Sequence, residues 1–207
     1  MSIQDAYNDW ASDYDSAANK TRDLEAEALR RMVTELEGKR VLELGCGTGK
    51  NGAWLAERAA RYVGLDFSEE MLAVARGKIE GEDVGLFQAD LTQPWPVADG
   101  AFDWATCSLV LEHIADLGFV FEEAARKLVS GGRFYIGEYH PFKQYLGKTA
   151  RYEREGETVE VEAFVHHASD FVRAAKGNGF RVVEMEEWFD GGGREGIPRL
   201  ITFIFEK

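Results

Sequence analysis

The residues of this chain that could do chemistry are acids and glycines placed directly after short apolar runs. Residues 41–44 read as a buried strand, and Gly45, Gly47 and Gly49 follow it. Apolar residues at helical spacing come next, so the order is strand, glycine turn and helix, the layout of a nucleotide-binding crevice. Glycine suits such a turn because the backbone bends sharply and approaches a ligand without a Cβ in the way. Glu43, inside the strand, is a poor neighbour for a pyrophosphate and a good neighbour for a cation.

Two further acids follow the next two predicted strands. Asp66 lies 21 residues after Gly45, which is about the span of one helix and one strand, and Asp90 follows the third strand. A carboxylate at the carboxyl end of a strand can accept hydrogen bonds from both hydroxyls of a ribose. The structural alternatives are a helix-capping Asp66 and a turn-forming Asp90. Three acids at neighbouring strand ends repel one another unless a ligand relieves them, which favours a binding site.

The glycine pattern admits two interpretations. Residues 47–52 satisfy G-x-G-x-x-G, the pattern of dinucleotide-binding enzymes, but the strand already ends at Gly45, and Lys50 then stands where the third glycine belongs. Residues 43–49, in contrast, read Glu-x-Gly-x-Gly-x-Gly. This form resembles motif I of the class I S-adenosylmethionine-dependent methyltransferases, whose cofactor carries an ammonium and a sulfonium. A glycine turn that binds no ligand is the remaining alternative.

Other segments are similar to the same family. Residues 102–114 resemble its motif IV, and Ser130-Gly131-Gly132-Arg133 before the fifth predicted strand is typical of it. Near the amino terminus, Tyr7-Asn8-x-Trp10-Ala11-x-x-Tyr14-Asp15 resembles a segment that folds over the cofactor in many members. The motifs run from about residue 5 to residue 138, and the last two strands fit by their order.

The resemblance implies S-adenosylmethionine as the cofactor and S-adenosylhomocysteine as its product. It gives Asp66 the ribose, Asp90 the adenine amino group and Tyr14 a lid role. Arg22 would meet the methionine carboxylate, or else is a solvated helix residue. Met71 would flank the adenine, or else belongs to the core. The implied cofactor-binding residues are Tyr14, Arg22, Glu43, Gly45, Cys46, Gly47, Asp66, Phe67, Met71, Asp90, Leu91 and Ser108.

Two histidines are candidates for a general base. His140 follows the fifth predicted strand, beside the expected position of methyl transfer, and is the preferred candidate. His113 follows the fourth strand and could face the same pocket, with a purely structural role as the alternative. The other two, His166 and His167, precede a predicted helix. Because the histidines lack the spacing of metal ligands, we predict no metal site.

The elements that must position these residues are seven strands with helices between most of them. Helices are predicted at 22–37, 117–128 and 169–176. A further helix is predicted to begin after Ser68, which would be its N-cap. Alternating strands and helices indicate a parallel sheet covered on both faces. A glycine-rich turn joins the last two strands and leaves no room for a helix, so these should pair antiparallel. The predicted strands are 40–44, 62–66, 84–88, 102–107, 132–138, 180–188 and 199–206.

The predicted fold class is therefore α/β, with a Rossmann-like, doubly wound, seven-stranded sheet that is mostly parallel, has an antiparallel last strand and carries helices on both faces. The 207 residues are most simply one methyltransferase domain, with cofactor-lid helices in residues 1–38. Residues 142–165 break the alternation and are a candidate substrate cap, with a surface hairpin as the alternative. The basic Lys143, Lys148, Arg151 and Arg154 in this segment hint at an anionic group on the acceptor, or are ordinary surface charge.

The amino-acid composition limits the classes of binding partner that we expect. A net charge of -13 repels nucleic acid phosphates and anionic membranes, so neither partner is expected. We see no apolar run of the roughly 18–20 residues that a membrane span needs and no signal peptide at the amino terminus. Cys46 and Cys107 form no metal-ligand or redox spacing, so a reducing cytoplasm is expected. The sequence leaves the oligomeric state open.

The function expected from these features is methyl transfer from S-adenosylmethionine to a small-molecule acceptor. The Asn/Asp-Pro-Pro-aromatic sequence of many base-amine methylases does not follow the fourth strand, where the chain reads Ser108-Leu109-Val110. Whether the nucleophile is oxygen, nitrogen or carbon stays open. The alternatives are a nicotinamide-dependent oxidoreductase, which would use the overlapping glycine pattern, and a non-catalytic module that binds S-adenosylmethionine.

Overall fold

Seven strands form one mixed sheet in the order β3-β2-β1-β4-β5-β9-β8. The computed structural model describes residues 3–11, 14–16, 18–146, 151–154, 157–160 and 163–207. A separate antiparallel pair, β6–β7, lies in the segment after β5. The strands are β1 (Arg40–Leu44), β2 (Arg61–Asp66), β3 (Val84–Gln88), β4 (Phe102–Ser108), β5 (Leu128–Tyr139), β6 (Arg151–Arg154), β7 (Glu157–Glu160), β8 (Arg181–Trp188) and β9 (Leu200–Glu206).

Strand direction confirms the predicted fold class. The pairs β1–β2, β2–β3, β1–β4 and β4–β5 are parallel, whereas β9 runs antiparallel to both β5 and β8. Leu44 at the end of β1 pairs with Leu65 of β2 on one side and with Cys107 of β4 on the other. This register brings the carboxyl ends of three strands to one edge of the sheet, where the glycine loop begins.

Helices cover both faces of the sheet. They are α1 (Ile3–Trp10), α2 (Lys20–Met32), α3 (Lys50–Ala56), α4 (Glu69–Arg76), α5 (Leu117–Lys127), α6 (Pro141–Tyr145) and α7 (Ala168–Gly177), with 3-10 turns at Leu111–His113 and Asp190–Gly192. One core cluster packs Phe121 of α5 against Phe134 and Phe205 of the sheet. The other packs Leu29 of α2 and Leu55 of α3 on the opposite face. Among the described residues, none of the helices has both the length and the apolar character needed to cross a bilayer.

Several helix boundaries differ from the sequence prediction, by one to five residues. The helix predicted at 22–37 ends at Met32, because Val33 is extended and Glu35 has a φ of 59°. Leu36 is buried although it lies beyond the helix, so the apolar spacing continued past the helix end. The last helix begins one residue early, after His167, whose backbone N–H donates to Asp170. Ser68 caps α4 as predicted, since its hydroxyl oxygen accepts a hydrogen bond from the Met71 N–H at 3.1 Å.

Candidate functional site

A cavity of about 470 Å³ opens at the edge where β1, β2 and β4 end. This volume lies within the range of small-molecule sites. Nine of the twelve predicted cofactor residues line it, so the topology brings together residues that are far apart in the sequence. Those nine are Tyr14, Gly45, Gly47, Asp66, Phe67, Met71, Asp90, Leu91 and Ser108. The other walls come from α1, through Ile3, Gln4 and Tyr7, and from Ala89, Thr92, Leu109, Val110, His113 and Ile114.

The glycine loop is fastened to the end of β2. The N–H groups of Gly45 and Cys46 both donate to the Leu65 carbonyl, at 2.7 and 3.0 Å. Gly47 has a φ of 52°, in the left-handed region that glycine adopts most readily. A Cβ built on Gly47 meets no atom within 4 Å, so the loop faces open space on its cavity side. The loop therefore leaves room for a ligand against its backbone.

Asp66 is held by two backbone amides. Its Oδ2 accepts the Gly47 N–H at 2.8 Å, and its Oδ1 accepts the Ser68 N–H at 2.9 Å. Burial raises the pKa of this carboxyl, and the amide hydrogen bonds act in the opposite direction by favouring the ionised form. A carboxylate offers about four lone-pair sites, so two amide contacts leave acceptor capacity toward the cavity. Asp66 thus combines a loop-bracing role with one that a ligand can use.

The third acid, Asp90, stands exposed at the opposite wall. Its Oδ1 accepts the Thr92 N–H at 2.9 Å and the Thr92 hydroxyl at 2.7 Å, so the side chain is fixed in a turn. Met71 and Leu91 are buried beside it. Asp90 therefore adds a hydrogen-bond acceptor to a cavity wall that Met71 and Leu91 also line, a combination that suits a flat heterocycle with an amino group.

The loop after β4 is anchored by a buried carboxylate. Glu138 Oε1 accepts the N–H groups of Val110 and Leu111, at 3.0 and 2.9 Å. These bonds hold Leu109, a cavity residue, at a φ of 57°, which is uncommon for a residue other than glycine. Burial, with a contribution from the charge of Glu112, raises the pKa of Glu138 to about 8. Glu138 therefore supports the cavity wall without lining the cavity itself.

His113 and Tyr7 form a pair in the cavity wall. The Tyr7 hydroxyl lies 3.0 Å from His113 Nε2, and the two rings meet edge to face with centroids 5.6 Å apart. Burial holds the pKa of Tyr7 well above its usual value, so the hydroxyl stays neutral. The sequence analysis named His113 as a candidate base and Tyr7 as part of the segment expected to fold over the cofactor, but it did not predict that the two side chains pair.

Helix α1 covers the cavity through contacts with the start of α4. Gln4 Nε2 donates to the Phe67 carbonyl at 2.6 Å, and the Ser68 hydroxyl donates to Asn8 Oδ1 at 2.6 Å. The Tyr7 and Phe67 rings lie 5.7 Å apart. The amino-terminal helix therefore has the position expected of a cofactor lid.

His140, the preferred base of the sequence analysis, does not line the cavity. Its Nδ1 accepts the Phe142 N–H at 3.1 Å, which requires the proton of a neutral ring to sit on Nε2. Nε2 then donates to Glu187 Oε1, 3.1 Å away. Both ring nitrogens of His140 are therefore engaged outside the cavity, whereas His113 lines it, and the identity of a base stays a prediction.

Glu43 and Cys46 lie beneath the glycine loop rather than in the cavity wall. Glu43 is buried and accepts a hydrogen bond from the Tyr62 hydroxyl. Burial raises its pKa to about 8, so it is mainly uncharged at neutral pH. The Cys46 sulfur points below the loop, where a Cβ on Gly64 would come within 2.9 Å of it. The structure shows no contact of Glu43 with the cavity, so its role beside a cation stays a prediction.

Arg22 lines a second cavity of about 430 Å³ on the far side of the loop, together with Lys50 and Lys78. Its guanidinium lies 4.0 Å from the centre of the Tyr14 ring and donates to the Tyr14 carbonyl. Arg22 therefore holds Tyr14, for which a lid role stays a prediction, and the contact of Arg22 with a methionine carboxylate likewise stays a prediction.

Sequence reasoning missed Glu25, a buried acid of α2. Its carboxylate accepts hydrogen bonds from the Ser108 hydroxyl at 2.6 Å, Asn51 Nδ2 at 2.8 Å and the Tyr135 hydroxyl at 3.1 Å. Burial raises its pKa. The available signal was its spacing of four residues from Leu29, which puts an acid on the apolar face of the helix.

Comparison with known proteins gives a consistent family. A family model described as a methyltransferase domain matches residues 42–136. An uncharacterized methyltransferase of Emericella nidulans is 28% identical over 221 residues, which cover 87% of this chain and 76% of the relative. A demethylmenaquinone methyltransferase of Thermus thermophilus is 41% identical over 115 residues, which cover 53% of this chain and 51% of the relative. The chain thus spans about half the length of the Thermus protein.

A solved structure agrees over nearly the whole chain. The crystal structure of an S-adenosylmethionine-dependent methyltransferase from Mesorhizobium loti superimposes with a TM-score of 0.76 at 25% identity. The match covers 89% of this chain and 98% of that one. It therefore extends well beyond residues 42–136, which the family model covers.

Proposed function

The chain belongs to the class I S-adenosylmethionine-dependent methyltransferases, and on that premise we propose that it methylates a small-molecule acceptor in the cavity beside His113. The observation that carries the proposal is the single cavity that joins the glycine loop, Asp66 and Asp90 to the His113–Tyr7 pair. The residues proposed to bind the cofactor and the candidate acid–base pair therefore line the same cavity.

The residues present fit the cofactor. S-adenosylmethionine, when bound, supplies an electrophilic methyl group on a positively charged sulfur. Asp66 would accept the ribose hydroxyls, and Asp90 would accept the adenine amino group. Phe67, Met71 and Leu91 would enclose the adenine. The open space on the cavity side of Gly47 supports this placement, because a ligand there meets backbone and no side chain.

The chain's own contribution to catalysis is alignment, exclusion of water and a place for a proton. An alkylating methyl group needs mainly a nucleophile held in line with it in a dry site. Where the acceptor must lose a proton, the Tyr7 hydroxyl oxygen would take it while the Tyr7 O–H proton passes to His113 Nε2, so that Tyr7 stays neutral and His113 holds the proton. Helix α1 would exclude water by covering the cavity.

The walls of the cavity and the net charge of the chain both support a small-molecule acceptor. The cavity is partly enclosed by α1, and the net charge of -13 disfavours a polyanionic substrate. The Thermus relative is named for demethylmenaquinone, so a quinol-like acceptor is one candidate class. The two cysteines are buried and unpaired, which fits a reducing compartment such as the cytoplasm.

The test is a screen for labelled product with methyl-labelled S-adenosylmethionine and a panel of phenols, amines and carbon acids. We expect transfer to one class, with His113→Gln lowering kcat about 100-fold or more if the acceptor must be deprotonated. His140→Gln is the matched control and should leave the rate nearly unchanged.

Two results would overturn the proposal. The first is tight binding of S-adenosylhomocysteine with no transfer to any acceptor class, which would indicate a non-catalytic binding module. The second is binding of NADH in preference to S-adenosylhomocysteine in calorimetry, which would restore the oxidoreductase alternative.

A further inference from the structure

Five exposed apolar side chains gather on two segments that border the cavity edge of the sheet. Phe142, Tyr145 and Leu146 on and just after α6 are 45%, 53% and 56% exposed, and Phe164 and Val165 are 36% and 46% exposed. We call these five residues the apolar rim. A cluster of large exposed apolar side chains is uncommon on a protein surface and often marks a binding site.

The rim is continuous with the wall of the cavity. The Phe164 N–H donates to the Glu112 carbonyl at 2.6 Å. His166 Nε2 donates to the carbonyls of Leu111 and Ile114, at 3.1 and 2.8 Å. These three carbonyls belong to the loop whose His113 and Ile114 line the cavity. The rim residues Phe164 and Val165 therefore run alongside the cavity loop.

The two parts of the rim are held together. The Tyr145 hydroxyl is hydrogen bonded to His167 Nδ1, which ties α6 to the chain that follows Val165. The Phe142 and Tyr145 rings lie in contact, with centroids 6.4 Å apart. Because the Tyr145 hydroxyl is hydrogen bonded to His167, the rest of the side chain, which is available to a ligand, is mainly apolar.

The nearby cavity wall has the same character. Leu109, Val110 and Ile114 line the cavity together with His113. Of the basic residues in this segment, Lys148 lies outside the described residues. Lys143 lies near Asp190, whose pKa is lowered mainly by its hydrogen bonds from Arg199 and in smaller part by Lys143. The loop that accepts the hydrogen bonds of Phe164 and His166 therefore adds apolar side chains to the cavity wall beside Tyr7 and His113.

We propose that the apolar rim binds an uncharged apolar tail of the acceptor, whose nucleophilic head reaches His113. This inference rests on the proposed function and specifies its substrate class: a neutral molecule with a polar head and an extended aliphatic or aromatic part. The tail strengthens binding of the acceptor because apolar surface of both the rim and the tail is removed from water on binding.

The test titrates the protein, saturated with S-adenosylhomocysteine, with N-phenyl-1-naphthylamine, an uncharged dye that fluoresces in apolar surroundings. We expect saturable binding that the double variant Phe142→Ser/Leu146→Ser weakens about fivefold or more, because apolar contact area is lost. The matched control is Val183→Ser/Met185→Ser, which removes side chains of 41% and 50% exposure from β8. Absence of dye binding by the wild type, or an equal loss in both double variants, would overturn the proposal.

Parallel measurements separate this inference from the proposed function. If calorimetry shows no binding of S-adenosylhomocysteine, the proposed function fails as well; if the cofactor product binds and the dye does not, only the rim inference fails. Sedimentation velocity should show the same mass for wild type and rim variant. A dimer that the rim variant dissociates would make the rim a subunit interface, and binding to phosphatidylcholine vesicles that depends on the rim would make it a membrane contact; either result overturns the inference.

Discussion

The Glu25 carboxylate, carried by α2, accepts a hydrogen bond from the Ser108 hydroxyl at the end of β4, with 2.6 Å between the two oxygens. The same carboxylate also receives Asn51 of α3 and Tyr135 of β5. One buried acid thus joins the amino-terminal helices to the end of the strand that lines the cavity. The position of α2 is thereby tied to Ser108, a residue of the cavity wall.

Replacing Glu25 with alanine should cost stability and cofactor affinity together. Three donors lose a shared acceptor in a buried place, so we expect the free energy of unfolding to fall by about 2–4 kcal/mol. Urea unfolding and calorimetry with S-adenosylhomocysteine measure the two effects. Glu27→Ala, two residues along the same helix and exposed, is the control and should change neither. Unchanged stability of Glu25→Ala would show that the network is dispensable.

Asp66→Ala should weaken binding of S-adenosylhomocysteine by about 1.5–3 kcal/mol, the scale of hydrogen bonds to a charged group. The control is Asp103→Ala. Asp103 lies near the opposite end of β4 and likewise accepts a backbone N–H, from Arg40 at 2.9 Å. The control should lose stability without losing affinity. Equal affinity in the wild type and a folded Asp66→Ala protein would remove the ribose role.

Gly47→Val should abolish cofactor binding while leaving the fold largely intact. The new side chain would point into the open cavity at a φ of 52°, where it occupies ligand space and strains the turn. Gly38→Val carries the same kind of strain at a φ of 73°, also with open space around the Cβ, in the turn before β1. If calorimetry finds both variants binding normally, the glycine loop does not hold the cofactor.

Stability should fall as pH rises from about 4.5 to about 8. Folded Glu43 holds its proton up to a pKa of about 8, whereas the ordinary value of 4.5 applies to the unfolded chain. The folded state therefore binds more protons in this window, and the stabilisation present below pH 4.5 is lost as pH approaches 8. Glu43→Gln cannot ionise, so urea unfolding across this range should give a shallower fall. The exposed Glu37→Gln should follow the wild type, and a Glu43→Gln profile parallel to the wild type would refute the assignment.

The sequence predicted the sheet and most of the residues that line the cavity, because both depend on local signals. Apolar runs indicated the strands, and the glycines and acids at the strand ends indicated Gly47, Asp66 and Asp90. The contacts of these residues with a cofactor stay a prediction. The residues on the acceptor side of the cavity were harder to predict, because they depend on the directions in which side chains point, and local sequence does not set those directions. His140 follows β5 as expected, yet its ring turns to Glu187 and the Phe142 amide. Tyr7 and Glu25 reach the site only through packing between elements that are distant in the chain.

Binding of S-adenosylhomocysteine should slow hydrogen exchange in α1. The helix covers the cavity through a few contacts, chiefly Gln4 with the Phe67 carbonyl and Tyr7 with His113. A bound ligand adds contacts to the cavity side of the helix, so local opening should become rarer, and mass spectrometry can follow peptides from residues 3–10. Residues 142–165, the candidate cap, should gain protection when an acceptor is also bound. The core helix α5 is the internal control and should not change. If α1 exchanges at the same rate with and without saturating ligand, it is not a lid, and exclusion of water from the cavity must come from other elements.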